Sequence, residues 1–287
     1  MSNSPLTPHP TIAVLGCGWL GLPLAKALVA EGYSVAGTTT TPTRVLTLRD
    51  ASIRPYLLSL GGKFTATDRD TLHTLLSGTE TLVLNVPPRR GTTTGSYVDL
   101  LRPVAQAVST CQVKQVLFVS STSVYADEPR AMRETDAQAS PDAASDILRA
   151  EDLFAPQTNG QDQERNTVVR LGGLFGPQRP PGRFLAGRHD VAQASAPVNL
   201  IHLADCVGLL SAIIRKQAWG YTFNACALSH PVRSDFYSKA ARQLGLKPPG
   251  FRLDDSLGGK IIDSTLIRQT LDYHFQHDDL EAALTAC

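Results

Sequence analysis

The chain has 287 residues, enough to bury a sizeable core in one large domain or in a domain with a small companion. A net charge of +1 leaves no global pull toward nucleic acid or an anionic membrane, and 42% hydrophobic with 18% charged residues is the balance of a soluble enzyme. The apolar stretch Ile12–Ala30 carries three glycines, Pro23 and Lys26 and has no basic flank, so it reads neither as a membrane span nor as a signal peptide. The cytoplasm is the expected compartment.

The first ten residues are polar and proline-rich and read as a loose tail. Thr11–Leu15 is an apolar, β-branched strand that runs into Gly16-Cys17-Gly18-Trp19-Leu20-Gly21, and Leu22–Ala30 then reads as a helix. Strand, G-x-G-x-x-G turn and helix in that order open a dinucleotide-binding βαβ unit. Gly16 permits the sharp turn, Gly18 lets the backbone approach a pyrophosphate, and Gly21 lets the helix lie close to the strand. The backbone of Gly16, Gly18, Trp19, Leu20 and Gly21, at the positive end of the helix, is therefore a candidate cofactor cradle.

A second strand over Tyr33–Gly37 leads into Thr38-Thr39-Thr40-Thr41-Pro42-Thr43-Arg44, with no acid before Asp50. An NAD-selective site usually places Asp or Glu here to bond the ribose 2′-hydroxyl. Hydroxyls from Thr38, Thr39 and Thr40 with the Arg44 fork suit a 2′-phosphate, which favours NADP, with NAD as the alternative. The threonines alternatively form a simple turn into the next helix.

Further strands are expected over Thr81–Val86, Gln115–Ser120 and Thr167–Leu171, with helices over Tyr97–Ser109 and Ser145–Phe154 between them. The alternation implies an α/β, doubly wound parallel Rossmann sheet, whose ligands sit beyond the carboxyl ends of the strands. Polar clusters fall at those ends. Asn85, Val86, Pro87, Ser120, Leu171 and Gly173 join the candidate cofactor contacts, while Arg89 and Arg90 are either part of that edge or simply solvated. The Gly/Pro-rich stretch after Leu171 suits a long loop over a ligand cleft, with Arg179 and Arg183 placed to hold an anionic substrate. Ala196–Leu210 reads as a short strand then a helix, with Asp205 at or near its start. The segment from Pro231 onward is helix-rich, as in a small lid. The expected division is a Rossmann domain over 11–171, to which the chain returns around 197–227, with a substrate-binding lid from 172–196 and 228–287.

The five cysteines are odd in number and contain no C-x-x-C pair, so neither a disulfide frame nor a metal site is expected. Cys17, inside the glycine turn, is either a small packed residue or an oxidant-sensitive thiol.

Ser120-Ser121-Thr122-Ser123-Val124-Tyr125, Arg170-Leu171-Gly172-Gly173-Leu174-Phe175-Gly176-Pro177 and Ile201-His202-Leu203-Ala204-Asp205 resemble three signatures of the extended short-chain dehydrogenase/reductases, the nucleotide-sugar epimerase and dehydratase type. The glycine loop, Pro181-Gly182-Arg183-Phe184 and Asn199-Leu200-Ile201-His202-Leu203 more narrowly resemble the atypical bacterial YeeZ-type branch. The resemblance implies that Ser121 bonds a substrate oxygen; capping of its own turn is the other reading. Three departures stand out. Leu15 replaces the first glycine of G-x-x-G-x-x-G, Gly173 stands at an Asn place, and Ser140-Pro141-Asp142-Ala143-Ala144-Ser145-Asp146 replaces the segment carrying the Tyr-x-x-x-Lys pair. Asp142 and Asp146 then stand where a lysine-activated phenol would pass a proton. Tyr125 and His202 are the candidate substitutes, and His202 is also a candidate substrate contact.

Two functions remain open. One is an NADP-dependent oxidoreductase or epimerase acting on a phosphorylated or nucleotide-linked small molecule. The other is a non-catalytic NADP-binding redox sensor or interaction protein. The expected partner is a small-molecule substrate, with no nucleic acid and no membrane, and a homodimer is left open.

Overall fold

β1 (Thr11–Leu15), α1 (Gly21–Ala30), β2 (Ser34–Thr39), α2 (Arg44–Asp50), β3 (Arg54–Leu57), α3 (Ala66–Leu76), β4 (Thr81–Leu84), α4 (Tyr97–Thr110) and β5 (Gln115–Ser121) alternate strictly in the computed structural model of the chain. There follow β6 (Ala131–Met132), α5 (Asp146–Asp152), β7 (Thr167–Leu171), β8 (Gly173–Phe175), β9 (Leu200–His202), α6 (Leu203–Lys216), β10 (Thr222–Ala225), α7 (Arg233–Gln243), β11 (Ile261–Ile262) and α8 (Thr265–Leu271). The structure describes residues 11–61, 64–88, 96–154, 166–252 and 258–287. The expected tail over the first ten residues and the pair Arg89-Arg90 lie outside them.

Seven strands form one sheet in the order β10-β7-β5-β4-β1-β2-β3. β1 pairs in parallel with both β2 and β4, β2 with β3, β4 with β5, and β7 with β10. This is the doubly wound α/β architecture, and its strand order reverses between β1 and β4, where ligands of such sheets collect. The strands are continuous apolar runs because both faces are covered: Ile12, Ala13, Val14, Leu82, Val83, Leu84 and Phe118 are each fully buried.

Three strands differ from the expected bounds, β5 only by running one residue further, to Ser121. β2 runs on to Thr39 because Thr38 and Thr39 continue to pair with Tyr56 and Leu57 of β3. β4 stops at Leu84, two residues early: the Asn85 backbone amide still bonds the Leu15 carbonyl while its side chain grips the glycine loop, and Pro87-Pro88 offer no N–H for a ladder. Helix α4 has a capping box, in which Ser96 accepts from the Asp99 amide and Asp99 accepts from that of Ser96.

Internal contacts divide the chain into two compact units, Met1–Val119 with Ala139–Thr167, and Ser120–Gln138 with Val168–Cys287. In the first, the apolar face of α4 (Leu101, Val104, Ala107, Val108) is buried, and the Phe118 ring meets those of Tyr97 and Phe154. In the second, Phe175, Val198, Leu200, Ala227, Phe236, Leu280 and Ala283 form one apolar cluster, with Phe184 packed against it.

Candidate functional site

The glycine loop of the first unit is held from two strands. The Gly16 amide donates to Thr38 Oγ1 at 2.9 Å and the Cys17 amide to the Thr38 carbonyl at 2.9 Å, tying the loop to β2. Asn85 Nδ2 donates to the Gly16 carbonyl at 2.9 Å, tying it to the end of β4. Gly16 has φ +103°, which favours glycine, and a Cβ there would lie 2.4 Å from the Asn85 carbonyl oxygen. A Cβ on Gly21 would lie 2.1 Å from the Gly16 carbonyl oxygen. Gly18 is different: a Cβ there meets nothing within 4 Å.

Trp19 and Leu20 carry the loop into α1, with Leu20 at the N-cap position. Among the described residues no side chain caps this end and its first turn contains no acid. The Leu22 amide reaches the Gly18 carbonyl at 3.1 Å, and the positive helix end otherwise has no side-chain cap among the described residues. Cys17 is buried and its Sγ donates to the Val14 carbonyl; burial pushes its thiol up to about 12, so it stays protonated and shielded from oxidants.

At the end of β2 the threonines divide their work. Thr38 serves Gly16, and Thr39 Oγ1 accepts from the Thr41 amide at 3.1 Å, so the exposed Thr40 is the one of the three turned to solvent. Arg44 opens α2, and among the described residues its guanidinium has no hydrogen-bond or ion-pair partner. Beyond β4, Val86 and Pro87 follow Asn85, and the Tyr97 hydroxyl donates to the Val86 carbonyl. Asp142 lies in an exposed turn before α5, whereas Asp146 begins that helix, so the two do not share a helical face. Asp146 Oδ2 accepts from the Tyr97 amide at 2.6 Å and Oδ1 from Arg149 at 3.1 Å.

In the second unit, Ser120 and Ser121 end β5. Ser121 Oγ accepts from the Ser123 amide at 3.1 Å and donates to Ser123 Oγ at 3.0 Å, capping a short 3-10 turn. Tyr125 is buried; its hydroxyl donates to Asn224 Oδ1 at 2.6 Å and accepts from Arg170 at 2.8 Å. Burial raises the Tyr125 phenol above its ordinary value despite the adjacent guanidinium. The same guanidinium donates to the Glu134 and Ala137 carbonyls, so Arg170 and Tyr125 form a satisfied internal network. The Leu171 carbonyl accepts from Thr122 Oγ1. A Cβ on Gly173 would lie 2.6 Å from Leu200 Cδ2, so the side chain of Leu200 fills the space beside it.

Arg179 and Arg183 are both exposed on the loop after β8. Gly182 seats that loop on α7, since a Cβ there would lie 2.3 Å from the Ala240 carbonyl oxygen. His202 is 4% exposed and caps α6: its Nδ1 accepts from the Ala204 amide at 3.2 Å, which leaves Nε2 to face the Ala286 carbonyl at 3.3 Å. Burial, with the His277 ring 3.8 Å away, holds its imidazole below the ordinary range. The fully buried Asp205 accepts from the Gln276 and His277 amides at 2.7 and 3.0 Å.

Two partnerships escape a reading of the sequence: Tyr97 with Asp146, and Asp205 with the C-terminal amides. Tyr97 follows a Ser-x-x-Asp capping box, which marks a helix start, but its partner lies 49 residues away. Among the described residues no group of three or more His, Cys, Asp or Glu could hold a metal ion, and no helix is long and apolar enough to cross a membrane.

Residues 12–196, well over half the chain, match the model of the NAD dependent epimerase/dehydratase family. The chain belongs to this family. The chain is 35% identical to protein YeeZ of Escherichia coli K12 over 270 residues, covering 93% of this chain and 96% of that protein. MoeE5 in complex with UDP-glucose and NAD shares the fold at TM-score 0.73 and 20% identity, over 96% of both chains. UDP-glucuronic acid 4-epimerase from Bacillus cereus, solved with UDP-glucuronic acid and NAD, matches at TM-score 0.72 and 17% identity, over 96% of this chain and 97% of that one. A conserved protein of unknown function from Silicibacter pomeroyi matches at TM-score 0.74 and 23% identity, over 97% and 98%. At these identities the solved structures establish the fold.

Proposed function

We propose that this epimerase/dehydratase family member binds a nicotinamide dinucleotide on Gly16–Gly21, NADP in preference to NAD, and acts in the cytoplasm as an oxidoreductase or epimerase on a nucleotide-linked or phosphorylated small molecule. The observation that carries the reading is the contrast among the three glycines. Gly16 and Gly21 have no room for a Cβ because the protein's own backbone fills it, whereas Gly18 faces open space. Folding alone does not require glycine at 18; a ligand lying against the backbone does. The uncapped end of α1 supplies the positive pole for a pyrophosphate. The NADP preference rests on Arg44 and Thr40, since Thr38 and Thr39 already serve the loop and its turn.

The bound nicotinamide would supply a hydride acceptor or donor. In the chain itself, Gly18, Trp19 and Leu20 would bind the pyrophosphate through backbone N–H groups, Asn85 to Pro87 would border the dinucleotide, and Arg44 would clamp a 2′-phosphate. Ser120 and Leu171, near the ends of β5 and β7, and Gly173 in β8 would be further cofactor contacts. Ser121 would turn its hydroxyl from Ser123 Oγ to a substrate oxygen, and Arg179 and Arg183 would hold the anionic part of the substrate. The Tyr125 hydroxyl and the His202 ring are committed to internal bonds, which favours solvent as the proton source.

The purified protein incubated with NADPH or NADP and a panel of UDP-sugars tests this, with nicotinamide absorbance reporting net redox and NMR reporting epimerisation. Turnover that falls in Ser121→Ala and Arg183→Ala supports the assignment; turnover unchanged in both overturns it. A non-catalytic NADP-binding sensor is the second reading, favoured by Asp142 and by the structural engagement of Asp146. Consumption of bound NADPH in a metabolite extract would sink it.

A further inference from the structure

Asp146 stands at the place the resemblance gives to a lysine, and its surroundings in the first unit give it different work. The amides of the first turn of α4 have no acceptors inside the helix. Ser96 Oγ takes the Asp99 amide at 3.1 Å, and Asp146 Oδ2 takes that of Tyr97 at 2.6 Å. A carboxylate is thereby placed at the positive end of α4 from a separate helix. Arg149 holds the other oxygen at 3.1 Å and donates to the Ala143 carbonyl at 2.6 Å, which fixes the start of α5.

Tyr97 passes this anchoring on. Its ring is 6% exposed and packs on Phe118 with centroids 6.4 Å apart, and its hydroxyl donates to the Val86 carbonyl. Burial, with Glu151 and Asp146 nearby, pushes the phenol well above its ordinary value. It therefore remains a hydrogen-bond donor and not a proton carrier at any physiological pH. The neighbouring residue Asn85 is fixed through its amide to the Leu15 carbonyl at 2.9 Å and grips the Gly16 carbonyl at 2.9 Å through Nδ2. A continuous path of bonds and adjoining residues thus runs from Asp146 through Tyr97, Val86 and Asn85 to Gly16.

We infer that Tyr97, held by Asp146, is a positioning residue for the dinucleotide loop, keeping the Asn85–Pro87 rim in the register that fixes the Gly16 carbonyl. This rests on the dinucleotide reading of that loop. The aspartate at the lysine place thus anchors the cofactor rim and does not move protons.

Two measurements on Tyr97→Phe, Asp146→Ala and Asp146→Asn test it. Amide exchange of the ligand-free full chain reads the anchoring, and calorimetric titration with NADPH at a temperature where each variant is folded reads its consequence. Tyr97→Phe keeps the ring and loses one bond. Faster exchange at residues 16–18 and 85–86 is expected, with affinity weakened roughly three- to tenfold, the span of one hydrogen bond. Asp146→Ala should act in the same direction, and Asp146→Asn should fall between it and the wild type, because its amide oxygen still accepts from Tyr97 while its NH2 group turns Arg149 away. A merely structural role would lower the melting temperature without changing affinity in the folded range. Wild-type NADPH binding with unchanged exchange and affinity in Tyr97→Phe would overturn the inference and leave the dinucleotide reading standing. Faster exchange in the variants, with a wild type that binds neither NADPH nor NADH, would overturn the dinucleotide reading and the positioning role that rests on it.

Discussion

Gly18 and Gly21 lie three residues apart and answer to different demands. A methyl group on Gly21 would press into the Gly16 carbonyl, so Gly21→Ala should destabilise the ligand-free protein by about 2 kcal/mol, as overpacked sites do. Gly18→Ala adds its methyl to open space and should leave the ligand-free melting temperature unchanged. Paired thermal melts check this, and a large loss in Gly18→Ala would mean that the fold itself needs this glycine. His202 makes a pH-dependent contribution at the same scale. Its folded-state pKa lies below the ordinary 6.5, chiefly through burial, so the unfolded chain binds this proton first. Stability should accordingly fall as pH drops below about 6.5, until the folded protein also protonates. His230 is shifted in the same direction by burial and adds to the slope. His202→Ala removes the cap, should cost about 1 kcal/mol of stability or more at pH 7.5, and should flatten the loss at acid pH; an equally steep loss would show that His202 is not its source.

At the scale of elements, β9 and the first turn of α6 act as a hub for the C-terminal part of the chain. Asn199 donates to the Lys260 carbonyl at 2.7 Å and accepts from the Ile262 amide at 2.9 Å, completing the hydrogen bonding of β11. His202 meets the Ala286 carbonyl, and Asp205 collects the amides of Gln276 and His277. Asp205→Asn turns one of these acceptors into a donor facing an N–H and should cost about 1–3 kcal/mol, measured by urea unfolding. An unchanged midpoint would show that the carboxylate does not hold this segment. The presence of these elements was legible in the sequence: an apolar run then a helix around Ala196–Leu210, and helices beyond Pro231. Their partnerships were not, because each joins residues far apart in the chain and periodicity reports only neighbours. The same holds for Tyr97 and Asp146. A helix starting at Tyr97 follows from pattern, but the carboxylate that caps it arrives from another helix. The unequal duties of Thr38, Thr39 and Thr40 were likewise hidden, since β2 extends further than its apolar run and buries two of them.

For the whole molecule, alternating strands and helices sufficed to specify a doubly wound sheet, and the structure has seven strands in one. Family membership rests on motifs spread over most of the chain and on the match over residues 12–196. Substrate identity is of another kind, because epimerase/dehydratase folds carry different substrates through side chains grafted on one scaffold. The proposed activity stands on a dinucleotide cradle at Gly16–Gly21. It is tested most directly by thermal melts of the wild type and Gly18→Ala with NADPH, with NADH and with neither. At about 100 times its dissociation constant a ligand stabilises by roughly 2.7 kcal/mol. A rise of about 5–10 °C is expected for the wild type with NADPH, a smaller one with NADH, and little in Gly18→Ala. No rise with either nucleotide would contradict the assignment.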